Sequence, residues 1–303
     1  MVTLLLLGAC ARLGPFPVPP VEYGEAVELP LVHVPDDTRR LYVLVDTGAM
    51  GEQLWFFDTG YSHTTCDAAM IAAQELRARP TLARTRGELG SVGLRRATLP
   101  DFDLGGHEVS RLRCAVRDLP ATSSIPQGEG YAVAGVLGSN LLRRFVVEVD
   151  PAAGVLRLHA PGAVTLTPDF TARRELGVGL RLRVPVTLDG ETIWPVLDYG
   201  ATGTYLDAEA LGLPLYQERE GTWQGTGRSN AQTRTLRYHR AAEVALGSVP
   251  GPPIFVVQRD GAPWNPGLVG MNVLGHYHLL LDYRSGDAEV EAVEPAPLPV
   301  VGD

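Results

Sequence analysis

The sequence predicts an all-β chain made of two similar halves with few short helices. Three observations carry this expectation. Gly (34 residues) and Pro (24 residues) are both frequent, which favours short strands and turns over long helices. Apolar or alternating runs of strand length recur between turn signals. One phrase also occurs twice. Gly51-Glu52-Gln53-Leu54-Trp55-Phe56-Phe57-Asp58-Thr59-Gly60 is echoed by Gly190-Glu191-Thr192-Ile193-Trp194-Pro195-Val196-Leu197-Asp198-Tyr199-Gly200, each running from a turn through an apolar strand into Asp-x-Gly.

Taken in order, residues 1–20 read as a leader and tether outside the fold. Leu4 to Leu7 followed by Gly8-Ala9-Cys10 resembles a bacterial lipoprotein signal, in which the cysteine is lipidated and becomes the new N-terminus. The apolar run is shorter than a usual signal core and no basic residue precedes it, as a start codon assigned too far downstream would explain. Pro15, Pro17, Pro19 and Pro20 then form an extended tether. This reading makes the protein exported and held at the membrane through Cys10, on the periplasmic side of the cell envelope. The alternative is a frayed apolar terminus.

The first half, residues 21–160, opens with Leu29–Val34 and Arg40–Val45 as strands, followed by the Trp55 strand and Asp58-Thr59-Gly60. Asp67 then opens a short helix, since Asp is a good N-cap. Gly87, Gly90 and Gly93 mark a mobile hairpin, and Gly135-Val136-Leu137-Gly138-Ser139-Asn140-Leu141-Leu142 leads into the strand Phe145–Asp150.

A join at 161–174 precedes the second half, residues 175–294, which repeats the plan. A strand over Leu180–Leu188 meets the hairpin signal Asp189-Gly190. The Trp194 strand, Asp198-Tyr199-Gly200 and a second Asp-capped helix at Asp207 follow. Gly221, Gly225 and Gly227 form the second Gly-rich segment, with Trp223 as a candidate roof for a substrate. Gly267-Leu268-Val269-Gly270-Met271-Asn272-Val273-Leu274 then leads into Leu279–Tyr283. Residues 295–303 are a Pro-containing tail.

Composition excludes some functions. A net charge of −9 offers no basic stripe to nucleic acid. No apolar stretch is long enough to span a membrane as a helix. Cys66 and Cys114 can pair in an exported protein. Alternatively, Cys66 is a buried small hydrophobe, since Leu206 holds the matching place in the second half. His276 and His278 offer two metal ligands on one strand, but no third ligand at suitable spacing is apparent, so no metal is expected.

Each half resembles a retropepsin-type aspartic protease domain, and the whole resembles a bilobal, pepsin-like enzyme in one chain. The motifs behind this are an apolar strand into Asp-Thr-Gly, a Gly-rich flap and the blocks Val136-Leu137-Gly138 and Leu268-Val269-Gly270, in the same order twice between Val21 and Val293. The resemblance implies two β-barrel lobes and a monomer. It also implies a catalytic pair of Asp58 and Asp198, loops shaped by Thr59, Gly60, Tyr199 and Gly200, and flaps at Gly87, Gly90, Gly93, Trp223 and Gly225 over a peptide substrate, with no cofactor.

Asp46-Thr47-Gly48 spells the same motif. Aligning the halves places Asp46 at the turn matching Asp189-Gly190, so Asp58 is preferred. The family takes Thr or Ser where this chain has Tyr199, and Ala or Ser where it has Tyr61. Tyr199 therefore points into the cleft, loosens its loop, or marks a half that no longer catalyses. Two rivals stand beside the enzyme: a non-catalytic peptide binder of the same fold, and two domains that each dimerise between chains.

Overall fold

The computed structural model describes residues 16–35, 37–47, 50–87, 90–122, 125, 132–175, 181–223, 232–259 and 267–301. It is mostly β, as the composition and patterning predict. The helices among the described residues, Ala68–Ala73, Leu119–Thr122, Ser139–Leu142 and Met271–Leu274, are six residues long or shorter.

The two halves repeat one pattern of strand pairing. In the first, Glu52–Phe57 lies parallel to Val133–Leu137. The short strand Thr65–Asp67 runs antiparallel to Val133–Leu137 and parallel to Arg113–Arg117. In the second, Val196–Leu197 lies parallel to Leu268–Val269. There Thr204–Tyr205 runs antiparallel to Leu268–Val269 and parallel to Ile254–Arg259. In each half the last of these strands pairs antiparallel with one arm of a long hairpin, of strands Arg79–Gly87 and Gly90–Thr98 in the first and Leu215–Trp223 and Gln232–Ala241 in the second. This threading lets the residue after each apolar strand, Asp58 or Asp198, donate its N–H to the threaded strand.

Strands from both halves also share one sheet. Val146–Asp150 pairs with Tyr277–Asp282, so that Val147 faces Leu281 and Val149 faces Leu279 in register. These residues are buried in a core that extends from Leu31 and Trp55 to Leu246 and Val290. On the other side of the pairing, Glu148 accepts from Arg157 Nη1 at 2.6 Å and is bonded to Nε2 of His159 at 2.6 Å and of His278 at 3.1 Å. Those bonds, with the Arg157 charge beside them, hold the Glu148 carboxyl well below the usual range, and its hydrogen bond raises the His278 imidazole.

Local chemistry explains most of the turns. Asp189 and Gly190 have φ of 47° and 89°, the left-handed pair that a two-residue hairpin needs between Leu188 and Glu191. Asp67 caps its helix, accepting from the Ala69 N–H at 2.9 Å. Two expectations are corrected. After Asp207 the chain makes turns rather than a second helix; the Asp207 carboxylate accepts from Ala210 N–H, but Gly212, with φ of 67°, breaks the helical run. The strand expected over Leu180–Leu188 is split into Leu182–Arg183 and Val186–Leu188, because Pro185 lacks the N–H a ladder needs.

Cys66 and Cys114 form a disulfide with Cα atoms 5.7 Å apart, stapling two neighbouring strands of the first half. Cys66 is fully buried, as is Leu206 at the matching place in the second half, so both readings of Cys66 hold in part. The join also contains strand: Phe170–Thr171 pairs with the C-terminal strand Asp287–Ala292, and Arg173–Arg174 pairs with Leu182–Arg183.

Candidate active site

Asp58 and Asp198 leave the ends of their apolar strands and meet within one chain, their side chains hydrogen-bonded to each other. Both are buried, at 5% and 9% exposure. Two equivalent loops hold them. The Asp58 N–H donates to the Leu137 carbonyl at 3.4 Å, and the Asp198 N–H donates to the Val269 carbonyl at 3.0 Å. Asp58 Oδ1 accepts from the N–H groups of Gly60 at 2.7 Å and Tyr61 at 3.2 Å; Asp198 Oδ1 accepts from Gly200 N–H at 2.9 Å, and the Ala201 N–H also bonds its carboxylate.

The glycines are required here by close approach. A Cβ on Gly60 would overlap the Asp198 carboxylate, and one on Gly200 would overlap that of Asp58. Each Asp-x-Gly loop is thus packed against the acid delivered by the other half.

Burial raises both acids. Burial pushes the Asp58 carboxyl well up, and the nearby Asp198 charge and hydrogen bond add to it. Burial also raises Asp198, but the bond from Asp58, the Arg181 guanidinium and the two backbone N–H groups oppose the rise. Both carboxyl groups are thus held above the usual range, and the pair shares one proton as a unit.

Beneath the pair the symmetry breaks. Thr59 Oγ1 donates to the Leu197 carbonyl at 2.8 Å and accepts from the Tyr199 N–H at 3.0 Å, tying the first loop to the second. Tyr199 returns no such bond. Its ring is 1% exposed and packs 5.4 Å from Phe57, while its hydroxyl has no hydrogen-bond partner among the described residues. It therefore points into the core, which excludes the placement in a cleft. Tyr283, also buried, hydrogen-bonds Ser139, whose hydroxyl donates to the Thr59 carbonyl at 3.1 Å.

Several supports escaped the sequence reasoning. Thr64 Oγ1 donates to Asn140 Oδ1 at 3.0 Å, and Thr204 Oγ1 to Asn272 Oδ1 at 2.8 Å. The N–H groups of Gly138 and Gly270 each donate to the matching threonine at 3.3 Å. The signal was present: each threonine lies the same distance past its aspartate, and each asparagine sits in the repeated Gly-x-x-Gly block. Arg181, which donates to the Gly60 carbonyl at 3.5 Å and pairs with Glu175, has no counterpart that the repeat could have revealed.

Asp46 is exposed at the end of a hairpin strand, in register with Glu52. Gly87 faces Gly90 across the end of the first long hairpin, and Gly93 is exposed on it. Trp223 ends the strand Leu215–Trp223, facing Gln232; its side chain, and all of Gly225, Gly227 and Cys10, lie outside the described residues. Trp55 is fully buried, and Trp194 lies beneath the Arg173 guanidinium at 3.5 Å.

His276 and His278 do not form the metal-ligand pair weighed from sequence. His278 groups instead with Glu148 and Asp150 from the neighbouring strand, their ligand atoms within 4.8 Å of one another. Glu148 is already engaged by Arg157 and His159 as well, so the cluster reads as a joint between strands. Among the described residues no helix is long and apolar enough to cross a membrane. No protein-family model matches the chain, and no curated protein matches it.

Proposed function

We propose that the chain is an aspartic endopeptidase of bilobal, pepsin-like fold. The observation that carries this reading is the buried pair of carboxyl groups, one from each half, hydrogen-bonded to each other with each flanking glycine against the opposite acid. Two carboxyl groups this close cannot both ionise cheaply, so they share a proton. A water bound between them loses a proton to the ionised member of the pair as it attacks a peptide carbonyl. The protonated member donates to the carbonyl oxygen, and the roles reverse as the tetrahedral intermediate collapses. The pair titrates as a unit, and hydrolysis follows a bell-shaped profile on the acid side.

The hairpins at 79–98 and 215–241 would act as flaps over the peptide. The repeated strand pairing supports two lobes, at 21–160 and 175–294. A monomer suffices, since one chain supplies both acids. The Cys66–Cys114 bridge supports an exported protein, because disulfides persist in oxidising compartments. Attachment to the membrane through Cys10 belongs to the same proposal.

A second reading has one observation in its favour. Tyr199 leaves the tie between the loops one-sided, as suits a protein that binds peptides without cutting them. Digestion of a peptide library from about pH 3 to 7 by the full chain distinguishes the two. Cleavage that is lost in both Asp58→Asn and Asp198→Asn and retained in Asp46→Asn supports the enzyme. Full activity in Asp58→Asn sinks the pair.

A further inference from the structure

Arg117 ends the strand Arg113–Arg117 and is 8% exposed, yet its Nε and Nη2 have no hydrogen-bond partner among the described residues. Buried guanidinium N–H groups without acceptors are costly, and folds normally supply them. The carboxylate in register with it, Asp67, is committed elsewhere: Oδ2 accepts from the Ala69 N–H and Oδ1 from the Leu119 N–H, both at 2.9 Å.

The second orphan is Tyr61, whose buried hydroxyl also has no partner. Its backbone N–H binds Asp58, and its ring packs on the small core containing Leu119, two residues beyond Arg117. The Arg117 charge acts on both Tyr61 and His63, lowering the His63 imidazole further after burial has brought it down, to about 4. His63 is therefore neutral above that pH and supplies no competing cation. Nε and Nη2 of Arg117 and the Tyr61 hydroxyl, without partners among the described residues, thus belong to the first half, where the Tyr61 N–H bonds Asp58. Both donate hydrogen bonds, and a carboxylate accepts them.

We propose that Arg117 and Tyr61 form a subsite for a peptide carboxylate beside the aspartate pair, so that the protein selects acidic peptides. The placement next to a scissile bond rests on the reading of Asp58 and Asp198 as a hydrolytic pair, but recognition does not require cleavage.

The test uses the full chain and matched amidated peptides that differ only by Glu or Gln at one position, scanned along the peptide. A further pair ends in a free acid or an amide. Binding is measured by calorimetry with reduced-amide, uncleavable versions, and cleavage with the ordinary ones. A Glu preference of roughly ten- to a hundredfold at one fixed position is expected in wild type. It should collapse towards unity in Arg117→Met, weaken in Tyr61→Phe and survive in part in Arg117→Lys. A preference for the free acid alone assigns the site to chain termini. Equal binding of Glu and Gln peptides and of acid and amide termini by wild type overturns the subsite, as does an undiminished preference in a folded Arg117→Met. Selective binding with no cleavage of any peptide overturns the hydrolytic reading and leaves the subsite standing. Cleavage without acid preference does the reverse.

Discussion

The loops that carry Asp58 and Asp198 are matched in everything that holds the acids and mismatched in what lies beneath them. Both take N–H bonds from the following residues, both rest on a threaded strand, and both press a glycine on the opposite carboxylate. Under the first loop, Thr59 bonds the second half twice; under the second, Tyr199 fills space against Phe57 and bonds nothing through its side chain. The geometry of two acids can thus be kept by one threonine when the partner position contributes bulk. In a dimer of identical chains both positions would change together. In a single chain one can drift.

The largest expected effect tests the matched part. Asp58→Asn and Asp198→Asn should each lower peptide hydrolysis by at least about 10²–10⁴-fold in steady-state assays, while Asp46→Asn stays near wild type. The same Asp58→Asn variant has a signature in stability. Its folded carboxyl titrates above the ordinary value of 3.8, so the unfolded chain ionises first and wild-type stability falls as pH rises above that value. Thermal melts should show the variant gaining on wild type between about pH 4 and 7, with little difference below. If the variant instead gains on wild type as the pH falls, the buried Asp58 carboxyl is not raised.

The next effect concerns a difference away from the acids. Only the first half carries a bridge, where the second has Leu206. Replacing both Cys66 and Cys114 by Ala should cost about 4 kcal/mol for a loop of 48 residues, read by denaturant unfolding. No change would place the rigidity of the first half elsewhere.

The one-sided tie can be broken from either end. Thr59→Val removes two bonds between the halves and orphans the Tyr199 N–H, a loss of about 1–3 kcal/mol with a matching fall in activity. Tyr199→Phe should be neutral or gain about 1 kcal/mol in the same assay, because the deleted hydroxyl satisfies nothing. If Tyr199→Phe is the more damaging of the two, the hydroxyl has a role that its missing partner conceals.

Much of this was legible in the sequence because an internal repeat supplies its own comparison. Asp58 could be chosen over Asp46 only by aligning Asp198, and the Asp189-Gly190 turn is written directly in its residues. Long-range partners were less visible. Nothing in sequence spacing brings Arg117 beside Tyr61, His278 beside Glu148 or Tyr283 beside Ser139, because each contact depends on strands remote in the chain. The direction of Tyr199 was not legible either. A phenol can face a cleft or a core, and only the space beside Phe57 decides. Arg181 was missed because it has no twin.

The packing of Gly60 and Gly200 against one another's acids also bears on timing. A chain emerging from the ribosome presents Asp58 long before Asp198 exists, and the strand Tyr277–Asp282, which docks onto Val146–Asp150, is made later still. Until then neither acid has its partner. If the chain is a hydrolase, it is born harmless, without needing a separate inhibitor while it is being made.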